Sequence, residues 1–230
     1  MARPSVEAQR REQILRAACE VIADKGITSL RVTDVARRAQ ISTGSVHYYF
    51  ATKHDLIHAA FEWNFTRSLA RRESVLARHE NPLERLRAIV TSYLRRDAET
   101  TAAWHVWAQT WVEALHDGDL RELNERVYGQ WRSMITQIVR DGQDRNVIVE
   151  GDPVLLADVL ISTIDGLAIQ SLVGPGYMTQ ARVRAVCAHL VASLSTAADT
   201  DRPGHEGTSG QERATNLRGL DVTNLGGQNT

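Results

Sequence analysis

Residues 33–56 read TDVARRAQISTGSVHYYFATKHDL, two short helix-forming segments around one tight break. Thr33 precedes Asp34-Val35-Ala36-Arg37-Arg38-Ala39, where a hydroxyl can cap free backbone N–H groups and an acidic residue suits the first turn. After Gln40-Ile41, Ser42 offers a second N-cap, and residues 43–50 form a third-helix segment with Val46 and Phe50 one turn apart. Thr52-Lys53-His54-Asp55 has capping-box form and opens a long helix over about 53–78. Upstream, Ile14, Leu15, Ala18, Cys19, Val21 and Ile22 fall at helical spacing over 10–25, and Gly26 follows as a C-terminal cap. A long helix followed by two short helices across a tight turn is the smallest unit that offers a helix to the DNA major groove.

The same logic carries the reading outward. Asn81-Pro82-Leu83-Glu84 starts a helix over 82–99, with Asn as cap and Pro at the first helical position. Trp104, Trp107, Trp111 and Leu115 mark one apolar stripe of the next helix, which stops near Gly118. Residues 119–142 repeat the amphipathic pattern. Gly151-Asp152-Pro153 restarts it over 153–173, Gly174-Pro175-Gly176 breaks it, and a last helix covers 179–197. No convincing strand and no internal repeat is found. The fold expected is all-α, with about nine helices: a helix-turn-helix domain over 1–52, a ligand-binding and dimerisation body over 53–199, and a tail from 200. That tail, with six glycines in its 31 residues, has the composition of a disordered segment.

Bulk properties narrow the class. At 230 residues, 43% hydrophobic and 24% charged, the chain has the composition of a globular protein, and no apolar run approaches the roughly 20 residues of a membrane span. The N-terminus lacks the apolar core of a signal peptide, so a cytoplasmic location is expected. Cys19 and Cys187 each sit in an apolar-periodic segment and read as buried free thiols. The net charge of −1 hides an asymmetry: residues 1–80 hold 13 Lys+Arg against 9 Asp+Glu, and the remainder is acidic. A locally basic module can offset phosphates even in a near-neutral chain.

The third-helix segment is unusual for a surface helix. Ser42, Thr43, Gly44, Ser45, His47, Tyr48 and Tyr49 are small or hydrogen-bonding, suited to close approach, phosphate oxygens and base edges. Lys53 is placed for a further phosphate. Taken singly, Tyr48 and Tyr49 can equally be packing aromatics, and Thr33 and Ser42 plain caps. One short helix reads few base pairs, so specificity calls for a homodimer on double-stranded DNA half-sites roughly 34–36 Å apart.

Over residues 9–60 this constellation resembles the operator-binding segment of TetR/AcrR-type repressors, with Gly44, the aromatic run ending Tyr49-Phe50, and Lys53 in the expected places. The resemblance implies that Thr33, Ser42, Thr43, Gly44, Ser45, Tyr48, Tyr49 and Lys53 touch DNA, while Val46 and Phe50 anchor the helix. His47 stands where the family usually has Tyr, and either keeps the phosphate contact through a ring nitrogen or yields it. In the body, WHVWAQTW at 104–111, NERVYGQW at 124–131 and IDGL at 164–167 resemble the BetI-type branch.

Four of the five tryptophans fall between 104 and 131. Core packing explains any one of them, yet His105, Gln109, Glu113 and Tyr128 interleave with Trp104, Trp107, Trp111 and Trp131, and Asp165 and Gln170 follow on the apolar helix. A mostly apolar cavity with a few polar groups is how small-molecule sites are built. Aromatic faces beside a carboxylate suit a cationic effector. Asp165 can equally accept a hydrogen bond at a subunit interface. The wide apolar arcs of 153–173 and 179–197 need cover; in the family two such helices per subunit form a four-helix dimer interface, and a monomer core is the alternative.

The function read from the sequence is a ligand-responsive repressor that leaves its palindromic operator when a small molecule shifts its conformational population. The alternatives are a helical partner-binding protein or an activator without small-molecule sensing. Enzyme activity is not expected. His54, His58 and Glu62 share one helix face but lack a third ligand and the base of an HExxH site, so no metal or cofactor is expected.

Overall fold

Helix starts in this chain are fixed by side chains that take up orphan N–H groups. In the computed structural model, which describes residues 6–94, 97–174 and 176–196, Ser42 accepts from Ser45 N at 3.0 Å and Asn81 from Leu83 N at 2.8 Å. Thr52 and Asp55 form the reciprocal capping box. Asp97, Asp117, Asp152 and Thr179 cap four later helices. The described residues hold nine helices: α1 (Val6–Lys25), α2 (Val32–Arg38), α3 (Thr43–Tyr49), α4 (Lys53–Leu76), α5 (Pro82–Tyr93), α6 (Ala98–Ala114), α7 (Gly118–Asp144), α8 (Pro153–Val173) and α9 (Gln180–Ser193). The one β feature among them is an isolated bridge between Ile148 and Ser195. The tail expected from residue 200, and Pro175 of the expected break, lie outside the described residues.

Besides α1, which starts at Val6 and not near residue 10, three boundaries differ from the sequence reading, each for a local reason. Thr33 does not cap α2. Arg31 occupies the cap position with extended backbone and no side-chain bond, and Thr33 lies exposed inside the helix. The helix expected over 82–99 ends at Tyr93, because Asp97 starts α6 by accepting from Thr100 N at 2.8 Å. The last helix stops at Ser193, where Leu194 O accepts from Val149 N at 2.9 Å and ties the chain back to the α7–α8 loop.

Two cores result. The first joins α1–α4 around Ile14, Ile22, Leu30, Val46, Phe50 and Leu56, and reaches α6 and the N-terminal half of α7 through Val106, Leu120 and Val127. The second gathers α5, α7, α8 and α9 around Leu86, Ile89, Ile135, Ile138, Leu160 and Ile164. Leu69 of α4 and Trp107 of α6 pack against both. The α4 helix therefore passes from the core that carries α3 to the core that carries the tryptophans.

By length and composition α8 is apolar enough to cross a membrane, contrary to the expectation that no segment is. It packs instead as a core helix, its buried side built from Leu160, Ile164 and Leu167, with Asp158 paired to Arg132 of α7 at 2.5 Å. Its other side leaves Leu155 60% and Val159 47% exposed.

Candidate DNA-reading face and aromatic box

The turn between α2 and α3 is closed by a Schellman arrangement. Ile41 N bonds Ala36 O at 3.0 Å and Gln40 N bonds Arg37 O at 3.1 Å. Gln40 takes the left-handed conformation there, with φ 55°. Gln13 of α1 donates to Ala39 O at 2.6 Å, and Arg38 reaches Asp24 at 2.6 Å and Glu20 at 3.1 Å. Asp34 accepts from Lys25, whose bond holds its carboxyl below the usual range, and also from Arg37. The α2 helix is thus fixed to α1 from both ends, and α3 follows it across the turn.

What α3 buries and what it shows divide cleanly. Val46 and Phe50 are buried and Tyr49 is half-buried against the first core. Ser42, Gly44, His47 and Tyr48 are exposed, with Thr43 and Ser45 half-buried beside them. Tyr48 is 77% exposed and meets the Tyr49 ring edge-on at 5.1 Å. Such an aromatic facing solvent has no packing role to explain it. The Ser42 hydroxyl is shared between Ser45 N and Ser45 Oγ, so it caps α3 while staying at the surface. Lys53 is exposed, and its ammonium donates to Thr28 O at 3.3 Å.

In the body, α4 to α8 close an aromatic box. Phe65, Tyr93, Trp104, Trp107, Val127, Tyr128, Trp131 and Asp165 line it. Tyr93 meets Trp131 at 4.8 Å and Trp104 at 5.8 Å; Trp107 meets Tyr128 at 5.8 Å and Phe65 at 6.1 Å. Trp111 packs on Trp104, Trp107 and Tyr128 behind them. Trp104 Nε1 donates to Tyr93 O at 2.8 Å, fixing the ring. The carboxylate in the wall is Asp165, which accepts from the Tyr128 hydroxyl at 2.7 Å. Burial pushes its pKa up to about 6. Burial and the Asp165 charge together raise the Tyr128 phenol, which remains a donor. Behind Tyr93 lies Arg72, buried, its guanidinium 3.2 Å from the ring centroid and its Nη1 bonded to Ser68 O at 2.6 Å.

The box encloses about 20 Å³. That is room for about one water, against roughly 300 Å³ or more for an ordinary ligand pocket. In this arrangement it is collapsed, and any organic ligand must part its walls.

Of the residues singled out in the sequence, the structure brings Trp104, Trp107, Trp111, Tyr128, Trp131 and Asp165 together. Gln109 faces the other way, accepting from Ile27 N at 3.4 Å in the loop after α1. His105 and Gln170 are exposed and Glu113 is half-buried outside the box. Phe65 and Tyr93 complete the walls, and no sequence signal marked them, since each lies on a helix other than those of the tryptophan stripe.

These features have relatives. The family described as bacterial regulatory proteins, tetR family, matches residues 14–60, and the one described as BetI-type transcriptional repressor, C-terminal, matches 82–196. The chain is 27% identical over 208 residues to the HTH-type transcriptional regulator BetI of Stenotrophomonas maltophilia, covering 86% of this chain and all of that protein. A transcriptional regulator of Saccharomonospora viridis, solved in complex with choline, superposes with a TM-score of 0.72 at 30% identity, covering 79% of this chain and 93% of that one. A TetR-family regulator of Rhodococcus sp. superposes at 0.69 with 26% identity, over 80% and 96%.

Proposed function

The chain belongs to the TetR family of bacterial transcriptional regulators, in its BetI-type branch, and on that premise we propose that it is a cytoplasmic, homodimeric repressor released from a palindromic operator by a small quaternary ammonium compound. The observation that carries the effector class is the box itself: six aromatic rings around one half-buried carboxylate. Ring faces attract cations, and Asp165 supplies the counter-charge without a competing lysine or arginine in the wall. The choline bound to the Saccharomonospora relative supports the same class.

On the DNA side, residues 1–52 act as the reading module. Exposed Thr33, Ser42, Gly44, His47 and Tyr48 meet the groove, Thr43 and Ser45 flank them, and Lys53 turns from Thr28 to a phosphate. Tyr49 keeps its ring against the core and offers its hydroxyl. Residues 53–199 form the sensing and dimerisation body. Two copies pair through the uncovered faces of α8 and α9, where Leu155, Val159 and the half-buried Val186 and Leu190 lie. Ligand binding opens the collapsed box, favouring a body conformation whose two reading helices no longer match the groove spacing.

The test is fluorescence anisotropy with inverted-repeat DNA from the protein's own promoter region, titrated with choline and other quaternary amines. Release of DNA by at least one of them, with polyamines and neutral isosteres inactive, is expected. Operator binding indifferent to every cation removes the sensing half of the proposal; absence of DNA binding removes the other.

A further inference from the structure

Where the first turns of α4 pass the start of α7, a cleft of about 540 Å³ opens, lined by His54, His58, Glu62, Asp119, Glu122 and Arg126 among others. At its edge His54 Nε2 lies 3.1 Å from Asp117 Oδ2 and 4.0 Å from Asp119 Oδ2, and the ligand atoms of the three residues all lie within 4.8 Å of one another. We propose that His54, Asp117 and Asp119 bind a divalent transition-metal ion, zinc being the best match, which clamps α4 to the start of α7.

The donor chemistry is one imidazole nitrogen and two carboxylate oxygens, a set that suits zinc and its first-row neighbours. Around a tetrahedral zinc with bonds of about 2.0–2.2 Å, ligand atoms stand roughly 3.3–3.5 Å apart. The two His54 distances, 3.1 and 4.0 Å, bracket that value, so the side chains need only draw together around the ion. One ligand side chain is already oriented by another bond, as ordered metal sites require, and a second sits on a fixed stretch of backbone. Asp117 spends Oδ1 on its cap to Leu120 N at 3.1 Å, which leaves Oδ2 turned to His54. His54 is placed by the Thr52–Asp55 capping box on either side of it. The cleft is also net acidic. Its arginine, Arg126, is paired with Glu62 at 3.1 Å, while Asp119 and Glu122 add negative charge. His58, one turn along α4 with its ring 6.2 Å from that of His54, lines the cleft beside this group and is not one of its three ligands.

From sequence, His54 and His58 lacked a third ligand. The fold supplies it from the α6–α7 turn, 63 residues away in the chain. The position matters because α4 begins three residues after the reading helix α3 ends, so a clamp here fixes the pose of α3 on the body.

The test uses the full chain stripped with a chelator and titrated with Co²⁺, read by its visible ligand-field absorption, and with Zn²⁺, read by calorimetry and thermal denaturation. One ion per chain is expected, with a rise in melting temperature at saturation. His54→Gln and, independently, Asp119→Asn should weaken binding at least tenfold and abolish the rise. Asp119 is exposed and caps nothing, so its variant reports even if His54→Gln misfolds. His79→Gln, a histidine away from the cleft, should behave as wild type. Binding that is absent, substoichiometric or equal in Asp119→Asn overturns the site and leaves a plain His54–Asp117 hydrogen bond.

Discussion

Asp165→Asn should make the protein more stable at neutral pH and less able to hold a cation. Burial lifts the Asp165 pKa from its ordinary value to about 6 despite the Tyr128 hydroxyl that favours the ionised form. Two pKa units correspond to about 3 kcal/mol. A carboxyl raised in the native state binds its proton more tightly there than in the unfolded chain. Stability therefore falls as pH rises between the unfolded and folded values, and the full penalty is present above about pH 6. Asparagine is isosteric, keeps an acceptor for Tyr128 and carries no charge. Its amide adds a constant cost or gain, so the diagnostic quantity is the pH dependence of the difference between the two proteins. That difference should widen in favour of the variant by about 2 kcal/mol between about pH 4.5 and pH 7.5, measured by thermal or urea denaturation. Calorimetry with choline completes the test. Wild-type affinity should drop about tenfold per pH unit below about pH 6, as the proton competes with the cation, whereas the variant should bind at least tenfold more weakly at neutral pH and show no such slope. Stability curves that run parallel across pH refute the buried-charge argument; choline affinity unchanged by the substitution refutes the counter-charge role.

Tyr48→Ala, at a position 77% exposed, should leave the unfolding free energy within about 0.5 kcal/mol of wild type while weakening operator binding at least tenfold in a mobility-shift assay. Unchanged operator affinity would take α3 out of the reading role. Leu155→Glu on the uncovered face of α8 should yield a folded monomer by light scattering, with operator affinity lost, and a dimer that survives it places the interface elsewhere. Gly142→Ala drives a methyl into Ile148, whose Cγ1 stands 2.6 Å from the new carbon, and should cost about 1–3 kcal/mol in denaturation, partly restored by Ile148→Val. A neutral Gly142→Ala would mean that the α7–α8 loop yields more easily than its two bonds to Gly142 O suggest.

The fold was legible where the signals are local. Ser42, Thr52, Asn81 and Asp152 each cap the helix their chemistry announced, because a cap is settled within one turn of chain. Thr33 misled because α2 has Arg31 at its cap position without any side-chain bond, two residues earlier than the hydroxyl suggests. The box was half legible. Trp104, Trp107 and Trp111 lie at three- and four-residue spacing and so share a face, and the sequence shows that directly. Interleaving along the chain, however, is not interleaving in space. Gln109 sits two residues from Trp107 and Trp111, about 160° round the helix from each, and bonds the loop after α1 instead. Phe65 and Tyr93 could come only from the packing of α4 and α5 on α6, which no periodicity encodes. The third ligand for His54 was hidden for the same reason.

On the proposed reading, the collapsed box gives a ligand there a means of moving the DNA-reading helices. With about 20 Å³ enclosed, a trimethylammonium group cannot enter without displacing a wall, so binding energy is converted directly into movement of helices. Of those walls, Phe65 belongs to α4, whose first turn follows α3 across Phe50–Thr52. Phe65 stands twelve residues along α4 from Lys53, about 18 Å at 1.5 Å per residue. In the proposed homodimer, a tilt of about 5° forced at the box would carry the α3 end through roughly 1.5 Å, in opposite senses in the two symmetry-related subunits. The separation of the two reading helices would then change by the sum, which is the shift the proposed release from DNA calls for. A substitution that relieves the crowding in advance, Phe65→Ala, should therefore bind choline without coupling it to DNA: calorimetry shows ligand uptake while anisotropy shows the operator still held.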